Sequence, residues 1–326
     1  MNFPNKFQFA PAEWLPIQDN AVLDRVAMEN LADHQGRVYE HPAFEVKIVN
    51  DVHNFFAADL FLRIRLASAR NQKLVIILPS PENAVFQSVV ESLNKYQVSC
   101  KNVHVFFLYE YANEKREVAP WQSPFSRSGH FMRNFYFRLE EHLRMPMEQV
   151  HFWTRENIDT YSDLIAAEGG ADVAYTALSW SGGIGAIDPE SFPAETMDEL
   201  LQMGSRYVTP APEMIAHESL RGMFGCSGDI GNVPPCAVTV GPKDLAAAKD
   251  RVLLAYLTSV GAIVSQQTFP LRLCLLGPVE PRNPASMLRL FPGTCYVAET
   301  IAKKMPLRLD HPEMEEFIAL ARKEEE

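Results

Sequence analysis

Residues 74–78, LVIIL, form an unbroken apolar run closed by Pro79-Ser80-Pro81, and this run constrains the fold more than any other feature. Five apolar residues with no polar alternation suit a strand covered on both faces, as in a parallel sheet. Its flanks repeat the message. Before it, Val52, Phe56, Leu60 and Ile64 recur at i,i+4 spacing, the stripe of a helix with one buried face. After it, Val85, Val89 and Leu93 mark another such stripe.

The alternation continues along the chain. Strands are expected at Phe44–Val49, Leu74–Leu78, Val103–Leu108, Val150–Trp153 and Ala171–Leu178, with later candidates at Ala237–Val240, Arg251–Leu257 and Leu271–Leu275. Asn50 or Asp51 can cap the helix after the first strand. Phe131, Phe135, Leu139 and Leu143 predict one further helix before Pro146, and helices are expected at Tyr161–Ala167, Asp244–Lys249, Val260–Gln267 and Pro312–Arg322. Strand–helix alternation on this scale implies an α/β fold with a Rossmann-like, largely parallel sheet and helices on both faces. Residues 1–43 read as an N-terminal extension with a short helix near Val22–Leu31, 44–305 as the α/β domain, and 306–326 as a C-terminal helix.

Composition narrows the partners. The net charge is −11, from 41 acidic and 30 basic residues without a basic block. That disfavours nucleic acid or an anionic membrane as a partner, but a small-molecule anion needs only one Arg and a few backbone N–H groups. The five cysteines are scattered with no C-x-x-C spacing, so neither a metal nor a disulfide framework is expected from them. Free thiols, no leader pattern and no apolar run near the ~18–20 residues of a membrane span point to the cytoplasm. No cofactor is expected. The glycines at 182–185 lack the following helix of a dinucleotide fingerprint, since Pro189 intervenes.

Ligands of such sheets bind at the carboxyl ends of the strands, which directs attention to the loops after Leu78, Leu108, Leu178 and Leu257. Ser80 and Asn83 offer hydrogen bonds in the first. Ser126-Arg127-Ser128-Gly129-His130 gathers hydroxyls, a guanidinium and an imidazole before a helix, and His130 is a candidate acid or base. Trp121 and Trp180 are candidate stacking surfaces or core residues.

Three segments carry a family resemblance: Asn102–Tyr111 (NVHVFFLYEY), Gly169–Pro189 (GGADVAYTALSWSGGIGAIDP) and Val233–Ala255 (VPPCAVTVGPKDLAAAKDRVLLA). In this order and spacing the chain, from about residue 44 to 305, resembles the glucosamine-6-phosphate deaminase and 6-phosphogluconolactonase family. The resemblance implies a fold similar to that of ribose-5-phosphate isomerase and the CoA transferases, a sugar-phosphate ligand and a homo-oligomer. It also exposes departures. The family's proton-transferring Asp falls on Tyr109, followed by Glu110, and its Asp–His–Glu relay falls on Ser181, Gly183 and Asp188. A phenol with a reference pKa of ~10 is a poor general base. The resemblance assigns Arg206, in SRYVT, to the phosphate, and Ser181, Gly182 and Gly183 to the substrate loop. Glu110, Asp188 and His130 are left as the candidate catalytic groups. Two readings stay open: an enzyme with altered chemistry on a phosphorylated sugar or related acid, and a catalytically silent relative that binds a metabolite or protein.

Overall fold

A computed structural model describes residues 10–13, 15, 17–34, 36–81, 83–180, 182–220, 224, 227–256, 267–303, 316, 317, 319, 320 and 323. The expected helix at 260–267 lies outside them except for Gln267, and the C-terminal helix is described only at a few positions.

The strands are β1 (Phe44–Val49), β2 (Leu74–Leu78), β3 (Val103–Phe107), β4 (Tyr109–Ala112), β5 (Val150–His151), β6 (Val173–Ala177), β7 (Arg206–Val208), β8 (Cys236–Thr239), β9 (Asp250–Ala255) and β10 (Gly293–Ala298). Among them run helices α1 (Asn20–Met28), α2 (Val52–Arg70), α3 (Asn83–Lys95), α4 (Arg127–Asn134), α5 (Tyr161–Ala167), α6 (Met197–Leu200), α7 (Pro212–Ser219), α8 (Pro242–Ala247), α9 (Thr268–Leu276) and α10 (Glu299–Ala302).

Seven strands form one parallel sheet in the order β1-β10-β9-β6-β2-β3-β5. All five residues of β2 are buried, as its apolar run predicts. Asp51 caps α2 by accepting from Asn54 N at 3.1 Å, and Val52, Phe56, Leu60 and Ile64 are buried against the sheet layer. The order reverses between β2 and β6. From β2 the chain moves outward to β3 and β5, and then returns on the other side. A crevice opens at such a switch point.

A second, antiparallel sheet, β4-β8-β7, was not separated in the sequence reading. It leaves β3 through a single residue, Leu108, whose carbonyl accepts from Val240 N at 3.0 Å. Ala237–Val240 is thus a strand, β8, but of this small sheet.

Two other expectations need correction, and one strand of the large sheet went unpredicted. Leu271–Leu275 is part of helix α9, where eight of nine residues are buried. Burial all around removes the 3.6-residue periodicity that separates helix from strand. The helix expected across Phe131–Leu143 ends at Asn134, where the Asn134 amide donates to His130 O and 3₁₀ turns follow at Tyr136–Arg138 and Glu141–Leu143. All four apolar positions are nevertheless buried. Finally, β10 was missed, although it joins β1 to β9 in the sheet.

The extension is tied down by Arg272 of α9. Its buried guanidinium donates to Glu29 O, Thr268 O and Ile301 O at 3.2, 2.9 and 3.0 Å, and also to Lys303 O. Burial lowers its pKa to about 10. The four described cysteines are free and buried. Among the described residues no helix is long and apolar enough to cross a membrane.

Candidate functional site

The cleft at the carboxyl ends of the parallel strands is narrow: it spans about 400 Å³ when the open solvent at its mouth is counted, but the cavity itself measures only about 30 Å³. Pro79 and Ser80 after β2, Tyr109 after β3, Ser179 after β6 and Tyr256 after β9 reach it, as do Arg127 of α4 and His217 and Glu218 of α7. Three of the four strand-end loops singled out in the sequence, those after Leu78, Leu108 and Leu178, therefore border one space, and the fourth, after Leu257, lies outside the described residues.

Its charge lies in a buried ion pair. The Arg127 and Glu218 side chains are 3% and 4% exposed, and Arg127 Nη2 donates to Glu218 Oε2. Tyr109 Oη donates to Glu218 Oε1 at 3.0 Å, and Tyr111 Oη to Glu218 Oε2 at 2.7 Å. The guanidinium carbon stands 4.2 Å from the Tyr109 ring centroid and 5.0 Å from that of Tyr111. Burial works against the Arg127 charge, but the Glu218 carboxylate and the phenols outweigh it and raise the pKa above its ordinary value. Burial raises the Tyr111 pKa well above the usual phenol range. These four groups form one charge-assisted network.

Arg127 is placed by α4, whose start is held by Glu110. The Glu110 carboxylate accepts from Ser126 Oγ (2.8 Å), Arg127 N (2.9 Å), Ser128 N (2.8 Å), Ser128 Oγ (2.8 Å) and Tyr111 N (3.0 Å). Ser126 in turn caps the helix through Gly129 N at 3.0 Å. At Gly129 a Cβ would stand 2.2 Å from Trp121 O, so the close approach requires glycine. Glu110 is thus spent on fixing the backbone that carries Arg127.

The other predicted residues fall in separate places. Ser80 borders the cleft. Asn83, at the start of α3, meets His130 of α4, with Asn83 Oδ1 2.6 Å from His130 Nε2. Burial, then Arg127 and Arg133, lowers the His130 pKa to about 4, so the ring is neutral near pH 7. Asp188 is buried and accepts from Ser191 N at 2.7 Å, fixing the turn after the glycine loop. Gly182 adopts φ +79°, and at Gly183 a Cβ would lie 2.3 Å from Ile187 O. Gly183 N donates to Ser179 Oγ at 3.1 Å, so the loop folds back on its own strand end. Ser181 lies outside the described residues. Arg206, on β7, packs its guanidinium over the Phe192 ring at 4.4 Å and does not border the cleft. Burial lowers its pKa. Trp180 stacks on His217, with centroids 5.3 Å apart and planes 8° from parallel, whereas Trp121 packs against Phe137 and Phe152.

Sequence reasoning missed Tyr111, His217 and Glu218, and weighed Arg127 only as part of its local serine cluster. Adjacent His217 and Glu218 near the end of a Pro-initiated helix were the available signal for the last two.

A switch-point crevice over a parallel sheet, flanked by a small antiparallel sheet, defines the class: this is the α/β fold of the glucosamine-6-phosphate deaminases and 6-phosphogluconolactonases. Among particular proteins, the chain is similar to the glucosamine-6-phosphate deaminase of Lachnoclostridium phytofermentans (strain ATCC 700394 / DSM 18823 / ISDg), at 24% identity over 233 residues, 70% of this chain and 86% of the relative. A solved monomeric glucosamine-6-phosphate deaminase of the NagB superfamily superposes with a TM-score of 0.64 at 17% identity, covering 80% of this chain and 99% of that one. The 6-phosphogluconolactonase of Thermotoga maritima gives 0.55 at 13% identity, over 78% and 99% of the two chains. That of Trypanosoma cruzi gives 0.55 at 15%, over 80% and 97%. No protein-family model matches the chain. The family resemblance read from the sequence is borne out in the fold.

Proposed function

We propose that the protein binds a small phosphorylated sugar, or a related sugar acid, in the switch-point cleft, with Arg127 as the anion anchor. The observation that carries this reading is the Arg127–Glu218 pair. A carboxylate is held there by a buried guanidinium and two phenols. The same donors, pointing into a space bordered by Ser80 and Ser179, suit a phosphate group. Glu218 acts as the resident anion that an incoming ligand displaces.

The standard deaminase reaction is absent from this proposal. Tyr109 stands at the base position and hydrogen-bonds Glu218, Gly183 has no titratable side chain, and Glu110 is engaged on every side. The second reading, an enzyme with altered chemistry, is favoured by one observation: His217 and Glu218 bring an imidazole and a carboxylate into the cleft from consecutive positions of α7. A homo-oligomer, implied by the resemblance, and a cytoplasmic setting, read from the scattered free thiols, complete the proposal.

The test is thermal unfolding against sugar phosphates, glucosamine-6-phosphate and 6-phosphogluconate included, each beside its unphosphorylated parent. A ligand at 100 times its Kd adds about 2.7 kcal/mol of stability. A shift with a phosphorylated sugar alone, lost in a folded Arg127→Met variant, is the expected result. No shift across the panel overturns the binding reading, and brisk ammonia release from glucosamine-6-phosphate overturns the exclusion of deaminase chemistry.

A further inference from the structure

Away from the cleft, at the β5 edge of the parallel sheet, two imidazoles and a carboxylate converge. His104 Nδ1 lies 3.2 Å from His151 Nε2 and 3.3 Å from Glu168 Oε2, and ligand atoms of all three lie within 4.8 Å of one another. Each comes from a different element. His104 is on β3, His151 on the neighbouring β5, and Glu168 at the C-terminal cap of α5. His151 is held by stacking on Phe106, with centroids 4.0 Å apart and planes 5° from parallel.

Hydrogen bonding between the three accounts poorly for this geometry. A neutral imidazole has one N–H. If His104 Nδ1 carries it, one proton faces two acceptors. If His151 Nε2 carries it, the bare Nδ1 lone pair faces the Glu168 carboxylate. A tetrahedral zinc ion with bonds of about 2.0–2.1 Å holds its donor atoms about 3.3–3.4 Å apart, close to the two separations found. Gln149 adds a second observation. Its Nε2 stands 2.9 Å from His104 Nε2, while its Oε1 is buried without a partner. With the amide turned over, Oε1 accepts from His104 Nε2–H and leaves Nδ1 bare, the outer hydrogen bond typical of a ligating histidine.

We propose that His104, His151 and Glu168 bind one divalent ion of the zinc class, with water as the fourth ligand, tying β3, β5 and α5 together at the sheet edge. Two imidazoles and a carboxylate are a zinc-type donor set that leaves one position open. Lys73 Nζ, now 3.0 Å from Glu168 Oε2, swings into solvent when the ion enters, and its side chain is already half-exposed.

The test uses the full chain, stripped with a chelator and titrated with Co(II). The expected result is one equivalent bound with the intense visible bands of tetrahedral cobalt, displaced by Zn(II), which also raises the melting temperature. His151→Ala abolishes the bands, Gln149→Leu weakens binding about 10-fold, and Lys73→Met retains or strengthens it. If His151→Ala does not fold, Glu168→Gln, at a half-buried cap residue, decides by the same loss. Absence of tetrahedral bands in the native chain, or bands unchanged in these ligand variants, overturns the site.

Discussion

Arg127 and Glu218 are 91 residues apart in sequence, yet they form a buried ion pair that two tyrosines complete. A pair so buried contributes little net stability, but removing one partner leaves the other charge stranded. In the proposed binding mode, this stranding cost makes the cleft sensitive to anions.

Glu218→Gln should lower stability in buffer by about 3–5 kcal/mol, the usual cost of breaking a buried pair. Inorganic phosphate should then restore part of the melting temperature, and should do so more than in the native chain, because Arg127 has lost its resident anion. Equal phosphate responses in the two proteins would contradict the displacement idea.

Arg127 and Arg206 make opposite predictions. Arg127→Met should weaken binding of a responding sugar phosphate at least tenfold, about 1.4 kcal/mol. Arg206→Ala should change it less than about threefold, since Arg206 packs over Phe192 outside the cleft. Isothermal titration of both variants decides whether the role assigned by sequence match or the one assigned by geometry holds.

Glu110→Gln should destabilise the fold by about 1–3 kcal/mol in urea unfolding. The amide would turn an N–H₂ toward backbone and hydroxyl donors that now all point at a carboxylate. A neutral result would mean that the α4 start does not depend on this acceptor.

His130 predicts an acid slope. Its folded pKa, about 4, lies below the ordinary 6.5, so the unfolded chain takes up the proton first as pH falls. Stability should therefore be full above pH ~6.5 and decline toward pH ~4, by up to about 3 kcal/mol from this group. His130→Gln should flatten the slope in that window, as read by denaturant midpoints at stepped pH.

Arg272→Met should cost about 3 kcal/mol or more, because the carbonyls of Glu29, Thr268, Ile301 and Lys303 lose their shared donor. Thermal unfolding of the variant measures it.

The sequence made those elements legible whose burial has a local signature. The stripe of α2 and the apolar run of β2 each lie within a few residues, and both sit where their periods place them. Helix α9 hid its period by being buried on all sides. The small sheet was hidden because β4 leaves β3 after Leu108 with no turn signal between them. The site divides the same way. Ser80 was legible as a residue after a strand end, whereas the pairing of Arg127 with Glu218 joins two helices through tertiary packing alone. Glu110 drew attention by its place in a motif, but its hydrogen bonds to Ser126–Ser128 depend on how α4 docks.

Among the described residues, strand β1 has one neighbour, β10, with Phe44 opposite Gly293 in register. A strand near the amino end thus waits for a partner about 250 residues downstream. At a synthesis rate of roughly 5–20 residues per second, that partner emerges some 10–50 seconds later. During translation, the nascent chain carries an open strand edge for that interval, and β1 is the last strand of the parallel sheet that can find its place.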